Sequence, residues 1–169
     1  MANKRTTVDL SEVMSGLDRL AGMKESLART MGAAMGAVVR DEAKERAPVL
    51  QPGNEGTDGQ LPGTLRRSIY LAYDERRNVI NRDSYRYTVS WNSRIAPHGH
   101  LLEFGHWMPF MVIRTEGGLW TTLVNNPLPG NGFFVQAHPF LGPAFDAKQP
   151  SLHGVAISAG TQRFRELTT

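Results

Sequence analysis

The feature that most constrains this chain is a helical pattern that runs from Val8 to Ala47 and is closed by a proline. Leu10, Val13, Leu17 and Leu20 share one face, and Met23, Leu27, Met31, Met35, Val38 and Val39 continue at helical spacing. Asp9 or Ser11 can cap the start, and Gly22 punctuates the pattern, which predicts helix in two pieces. Gly32 and Gly36, with Ala33 and Ala37, form a flat stripe on which another backbone can lie closely. In a bilayer that spacing suggests helix dimerisation, but the flanks here are too polar. Ala47-Pro48 ends the helix, because the residue before a proline is pushed out of the α region.

Residues 48–63, "PVLQPGNEGTDGQLPG", carry prolines and glycines at a density that allows no regular element, so they are expected to form a long flexible loop. Strands follow. "RSIYLAY" and "YRYTVSW" both alternate, the second placing Tyr85, Tyr87, Val89 and Trp91 on one face. "FMVIRT" and "LWTTLV", joined through Glu116-Gly117-Gly118, read as a hairpin, and "FFVQ" adds a further short strand after the turn-rich "NNPLPGNG". From Pro139 the pattern is helical again, with Leu141, Ala144, Phe145, Leu152, Val155 and Ala159 in register. Pro150 is expected to kink this helix or to begin a new one. The order predicts an α+β fold: a long N-terminal helix, an antiparallel sheet of about four to five strands, and a C-terminal helix packed on the sheet. The 169 residues fit one domain, with residues 1–8 as a flexible tail and 105–137 as an enlarged β-hairpin and loop region.

Composition narrows the function. There is no cysteine, which excludes disulfides and thiolate metal sites and suits a reducing compartment. No apolar run approaches the roughly 20 residues that span a bilayer, and "MANKRTTVDL" lacks the apolar stretch of a signal peptide. A soluble, cytosolic product is expected. The net charge of +3 is unevenly placed. Between Thr64 and Arg94, Arg66, Arg67, Arg76, Arg77, Arg82, Arg86 and Arg94 face only Asp74, Glu75 and Asp83, so this segment is +4 and the remainder −1. Guanidinium groups suit carboxylate or phosphate partners, which points to an interface or a nucleic-acid-facing surface; a solvated strand face is the plainer reading.

"APHGHLLEFGHWMP" raises the question of a metal enzyme, because His98, His100, Glu103 and His106 crowd together. His98 and His100 share a side only in an extended segment, whereas Glu103 and His106 suit a helix turn, so the four do not converge. The helical H-E-x-x-H motif is absent, as are phosphate loops, nucleophile elbows and dinucleotide fingerprints. No catalytic residue, metal or cofactor is assigned. The expectation is a non-enzyme, with a metal-dependent enzyme on His98, His100 and His106 as the alternative and a basic nucleic-acid binder as the second.

Four segments in order carry a resemblance. "ERAPV" closes the first helix, "PGTLRRSI" follows the loop, then "HGHLLEFG", then "AHPFLGPAFD" opening the last helix. This succession resembles the tail-completion, or head–tail joining, proteins of double-stranded-DNA bacteriophages, over about residues 20–167. That family shows Ala-Pro, Gly-x-Leu-Arg-x-Ser-Ile, Glu-aromatic-Gly and Pro-Phe-x-x-Pro-Ala. The chain departs from it in having Pro62-Gly63 after a long inserted loop, His106 where threonine is common, and an enlarged "LWTTLVNNPLPGNG".

The resemblance implies a structural protein of the virion neck, made in the host cytoplasm. It would act as a homo-oligomeric ring, a hexamer favoured over a dodecamer, because one heterologous contact repeated around an axis closes. Its implied partners are a head-completion or adaptor protein and a tail-terminator or tail-tube protein, with DNA passing nearby and no membrane. Arg66, Arg67, Arg76, Arg77, Arg86 and Glu103 are the candidate assembly residues. Arg66 and Arg67 are expected to point outward, and Glu103 to lie near the surface within reach of a neighbour's arginine. Segments 48–63 and 124–132 are expected to order against partners. Gly63, Leu65, Ile69, Phe104, Gly105, Pro139, Phe140 and Pro143 are read as specifying the fold, with Leu101, Leu102 and Phe104 pinning a short helix to the sheet.

Overall fold

A computed structural model describes residues 11–49, 61–74, 85–116 and 120–169. Helix α1 (Ser11–Arg46) runs unbroken through Gly22. A glycine there costs only about 1 kcal/mol, too little to interrupt a helix of this length. At 1.5 Å per residue α1 is about 54 Å long, and among its described side chains the buried ones, Val39 and Ala43, with Ala47 just beyond its end, lie at its C-terminal end.

After the loop, Thr64–Ser68 forms one helical turn, α2, where a strand is predicted to begin. Strand β1 (Ile69–Tyr73) then pairs antiparallel with β2 (Tyr87–Trp91), with Ile69 opposite Trp91, Leu71 opposite Val89 and Tyr73 opposite Tyr87. Helix α3 (Gly99–Phe104) leads into β3 (His106–Met108), β4 (Phe110–Arg114), β5 (Trp120–Pro127) and β6 (Phe133–Val135). The chain ends in α4 (Leu141–Thr168). The fold is α+β, with a long first helix, antiparallel strands and a C-terminal helix.

The described strands form three two-stranded ladders, β1–β2, β3–β6 and β4–β5. The last two belong to one arm. Pro109, which has no N–H to give a ladder, separates β3 from β4, and the Leu128 N–H donates to the Pro109 carbonyl at 2.9 Å to bridge the gap. Register jumps from Phe110–Pro127 to Met111–Leu123, so Val124, Asn125 and Asn126 bulge outward. The hairpin read from "FMVIRT" and "LWTTLV" is therefore the outer half of a longer ribbon that β3 and β6 continue inward.

Helix α4 packs most extensively on α1, and antiparallel to it: Lys148 pairs with Glu42 at 3.0 Å, and Arg163 Nε donates to Ser26 Oγ at 3.0 Å. One helix runs through Pro150, without a break into two. Pro150 and Asp146 are both exposed, so the Asp146 carbonyl that loses its helical donor can turn to water. The core gathers Ala43, Ala47, Leu65, Ile69, Ala96, Phe140 and Ala144, flanked by Val89, Trp91, Leu102 and Leu141. The Trp91 and Phe140 rings meet edge to face, with centroids 5.8 Å apart.

The glycine stripe of α1 receives side chains, not a backbone. A Cβ at Gly32 would lie 2.8 Å from the Tyr87 ring, and one at Gly36 2.5 Å from Leu71 Cδ1. The Tyr87 hydroxyl donates to the Arg29 carbonyl at 3.0 Å, which holds the β1–β2 hairpin down on the helix.

Candidate functional site

The motif segments meet around Glu103. Its Oε2 accepts the N–H groups of Phe140 at 2.8 Å and Leu141 at 3.1 Å, and its Oε1 accepts that of Gly142 at 3.0 Å. These are the orphan donors at the start of α4, and an anion there also favours the positive end of the helix dipole. The His138 N–H donates to the Leu102 carbonyl at 2.7 Å, so α3 is stitched to the helix entry at two points. Glu103 is 9% exposed. It does not lie near the surface awaiting a neighbour's arginine: its carboxylate is committed to α4 within the chain.

Phe104 also departs from expectation. At 71% exposed it pins nothing, while Leu102 packs against the core and Glu103 turns inward. Gly105 has φ +71°, and a Cβ there would fall 2.6 Å from the Val135 carbonyl oxygen, so both conformation and space require glycine. Its ψ of 176° makes it a reversal into β3, not a left-handed cap. Gly63, with φ 79° and ψ 9°, is left-handed and precedes α2. Leu65, Ile69 and Phe140 are buried, and Pro143 occupies the first turn of α4, just after Pro139 and Phe140 bring the chain in.

The arginines divide. Arg66 is half-buried, and its Nη2 donates to the Glu45 carbonyl at 3.4 Å, at the unsatisfied end of α1, so it is not simply outward. Arg67 is exposed, and its Nη2 donates to Thr64 Oγ1 at 3.5 Å. Arg86 and Arg94 are exposed. Arg76, Arg77 and Arg82 lie outside the described residues, as do residues 1–8 and most of the loop 48–63.

The histidines stay apart in role. His98, half-buried, is held below its ordinary pKa by desolvation. Nδ1 of His100 lies 2.6 Å from the Pro97 carbonyl. His106 sits on β3, beyond Gly105, with Nδ1 buried and unpartnered. Among the described residues, no three His, Asp or Glu side chains form a group that could hold a metal ion. A groove of about 600 Å³ lies between α1, β2 and α4, lined by Met35, Val39, Val89, Phe145 and Leu152, with Arg86 beside them. Its lining is mostly apolar, with Tyr85, Arg86 and Tyr87 as its polar members.

The arm holds the surface that motif reading passes over. Trp107 is 55% exposed and Phe134, opposite it in the ladder, 53%; Phe133, Met111, Ile113 and Val124 are exposed too. A compositional signal was there to read, since between His106 and Val135 the only acidic or basic residues besides the histidine are Arg114 and Glu116.

Residues 11–105 match the family model described as "Bacteriophage HK97-gp10, putative tail-component". No curated protein and no solved structure matches the chain. The matched stretch exceeds half of the 169 residues and stops at Gly105, where α3 gives way to the arm. The chain belongs to the HK97-gp10-like family of bacteriophage tail components.

Proposed function

We propose that this tail component completes the joint between head and tail, assembling as a ring at the virion neck. On this reading it docks to a head-completion or adaptor protein on one side and to a tail-terminator or tail-tube protein on the other, with no chemistry of its own. The observation that carries the reading is the contrast within one chain. A body locked by Glu103 and a buried Phe140 supports an arm whose aromatic side chains lie exposed. Rigid presentation of an apolar element is what an assembly protein needs, because exposed apolar patches mark association sites. Arg67 and Arg86, exposed on the body, are the docking residues retained from the arginine cluster. Arg66 is assigned mainly to the end of α1.

The test is a phage carrying this gene with Arg67→Ala and Arg86→Ala together. The expected outcome is DNA-filled heads and separate tails in lysates seen by electron microscopy, with joining restored when purified wild-type protein is added. Normal yields of joined particles from the double variant would remove the arginines from the docking surface. Normal particles from a gene deletion would remove the head–tail role altogether.

A further inference from the structure

We infer that the arm formed by β3 to β6 docks on the same arm of a second copy, with β4 of one copy lying beside β5 of the next. The inference builds on the ring reading and names the element that closes it. An isolated two-stranded ribbon is marginally stable in water, and this one pairs with no third strand among the described residues. Solvent-facing edges are normally protected by charges, prolines or bulges; Pro127 and the bulge at Val124, Asn125 and Asn126 guard one end of β5, while the paired stretches 111–114 and 120–123 carry only Arg114.

Summed over both faces of the arm, the open apolar side chains amount to on the order of 500 Å², against the roughly 800 Å² that each partner gives to a standard interface, and a neighbouring arm would cover part of that area. Charge points to the same occupant. With one arginine and one glutamate the arm is formally neutral, so identical arms can lie side by side without repulsion, whereas nucleic acid would find nothing to neutralise it. Because β4 and β5 are antiparallel, setting β4 of one copy against β5 of the next continues an antiparallel sheet. Repeated around an axis, that heterologous contact closes into a ring.

The absence of cysteine gives a clean background for the test. Full-length Ile113→Cys protein is mixed with full-length Thr121→Cys protein and treated with a short bis-maleimide. Mixed cross-linked pairs are expected to exceed both like pairs. In parallel, Met111→Lys with Ile113→Lys is expected to weaken self-association roughly tenfold or more by analytical ultracentrifugation. Circular dichroism should be unchanged, since both side chains are exposed. A wild-type chain that remains monomeric at tens of micromolar overturns the inference. So does a predominance of Ile113–Ile113 pairs, which means a two-fold contact. Oligomers that persist undiminished in the lysine variant show closure through the helical body; they overturn the arm contact while leaving the ring and the neck role standing.

Discussion

The Glu103 carboxylate accepts the backbone N–H of Phe140 across 37 residues of sequence, at 2.8 Å. That bond joins the last turn of the family-matched segment to the first turn of α4, and it sits beside the largest fully buried side chain among the described residues, Phe140. A capping side chain is usually local, from the residue just before the helix. Here the residue in that place is Phe140 itself, whose side chain fills the core and cannot cap. The acid is therefore supplied from α3, and the orientation of α4 is fixed by the same contact that satisfies its end.

Replacing Glu103 by alanine leaves three helix-terminal N–H groups without their acceptor in a buried setting. A loss of about 3 kcal/mol is expected, the upper end for a hydrogen bond to a charged group because one carboxylate serves three donors, which corresponds to a melting point lower by roughly 10 °C for a chain of this size. Glu103→Gln keeps one accepting oxygen and should fall between the two. Thermal denaturation followed by circular dichroism measures all three proteins. An alanine variant that melts with the wild type would mean that water replaces the carboxylate without cost.

Neighbouring aromatic positions should respond very differently. Phe140 is fully buried against Trp91, so Phe140→Ala is expected to cost about 3–5 kcal/mol. Phe104, one residue after the capping glutamate, is largely exposed, and Phe104→Ala should stay within about 0.5 kcal/mol. Denaturant titration with unchanged slopes would make the comparison clean. Equal losses at both sites would contradict the burial described.

Where the sequence was legible, a repeating pattern made it so. The α1 periodicity, the Tyr87, Val89 and Trp91 face of β2 and the β4–β5 hairpin all come from period and turn chemistry. Glu103 was not legible, because its partners are backbone N–H groups that carry no side-chain signature and lie 37 to 39 residues away. Phe104 failed for a related reason: in a helix of six residues, the inward positions depend on where the helix starts, and period alone cannot choose. Strand β3, three residues bounded by Gly105 and Pro109, is too short to alternate visibly. Gly22 and Pro150 misled because local propensity is outweighed by packing of α1 on α4.

Two glycines on α1 should give opposite signs. A Cβ at Gly22 meets nothing within 4 Å, so Gly22→Ala is expected to stabilise by up to about 1 kcal/mol through helix propensity alone. At Gly36 the added carbon would press on Leu71 Cδ1 at 2.5 Å. The leucine must shift out of its packing, and the cost of such overpacking is about 1–3 kcal/mol, more than the propensity gain. Chemical denaturation of the two variants tests the sign. Stabilisation at Gly36 would show that Leu71 repacks freely.

Mild acid should weaken the fold partly through His98. Burial holds its pKa below the ordinary value of 6.5, so the unfolded chain takes up a proton at a pH where the folded chain does not. Above that value both states are neutral and His98 contributes no pH dependence. As pH falls from about 6.5 toward the lower folded pKa, the unfolded state gains protons first and stability declines. His98 lies beside Leu65 and Leu102 under the entry of the long loop, where a neutral amide of similar size can be accommodated. His98→Asn should therefore flatten the melting temperature between pH 7 and 5 relative to wild type, with the two curves converging in slope above neutrality. Other groups titrate in both proteins alike, so the difference between the curves isolates this imidazole. Parallel curves across the whole range would mean that His98 stays fully hydrated when folded.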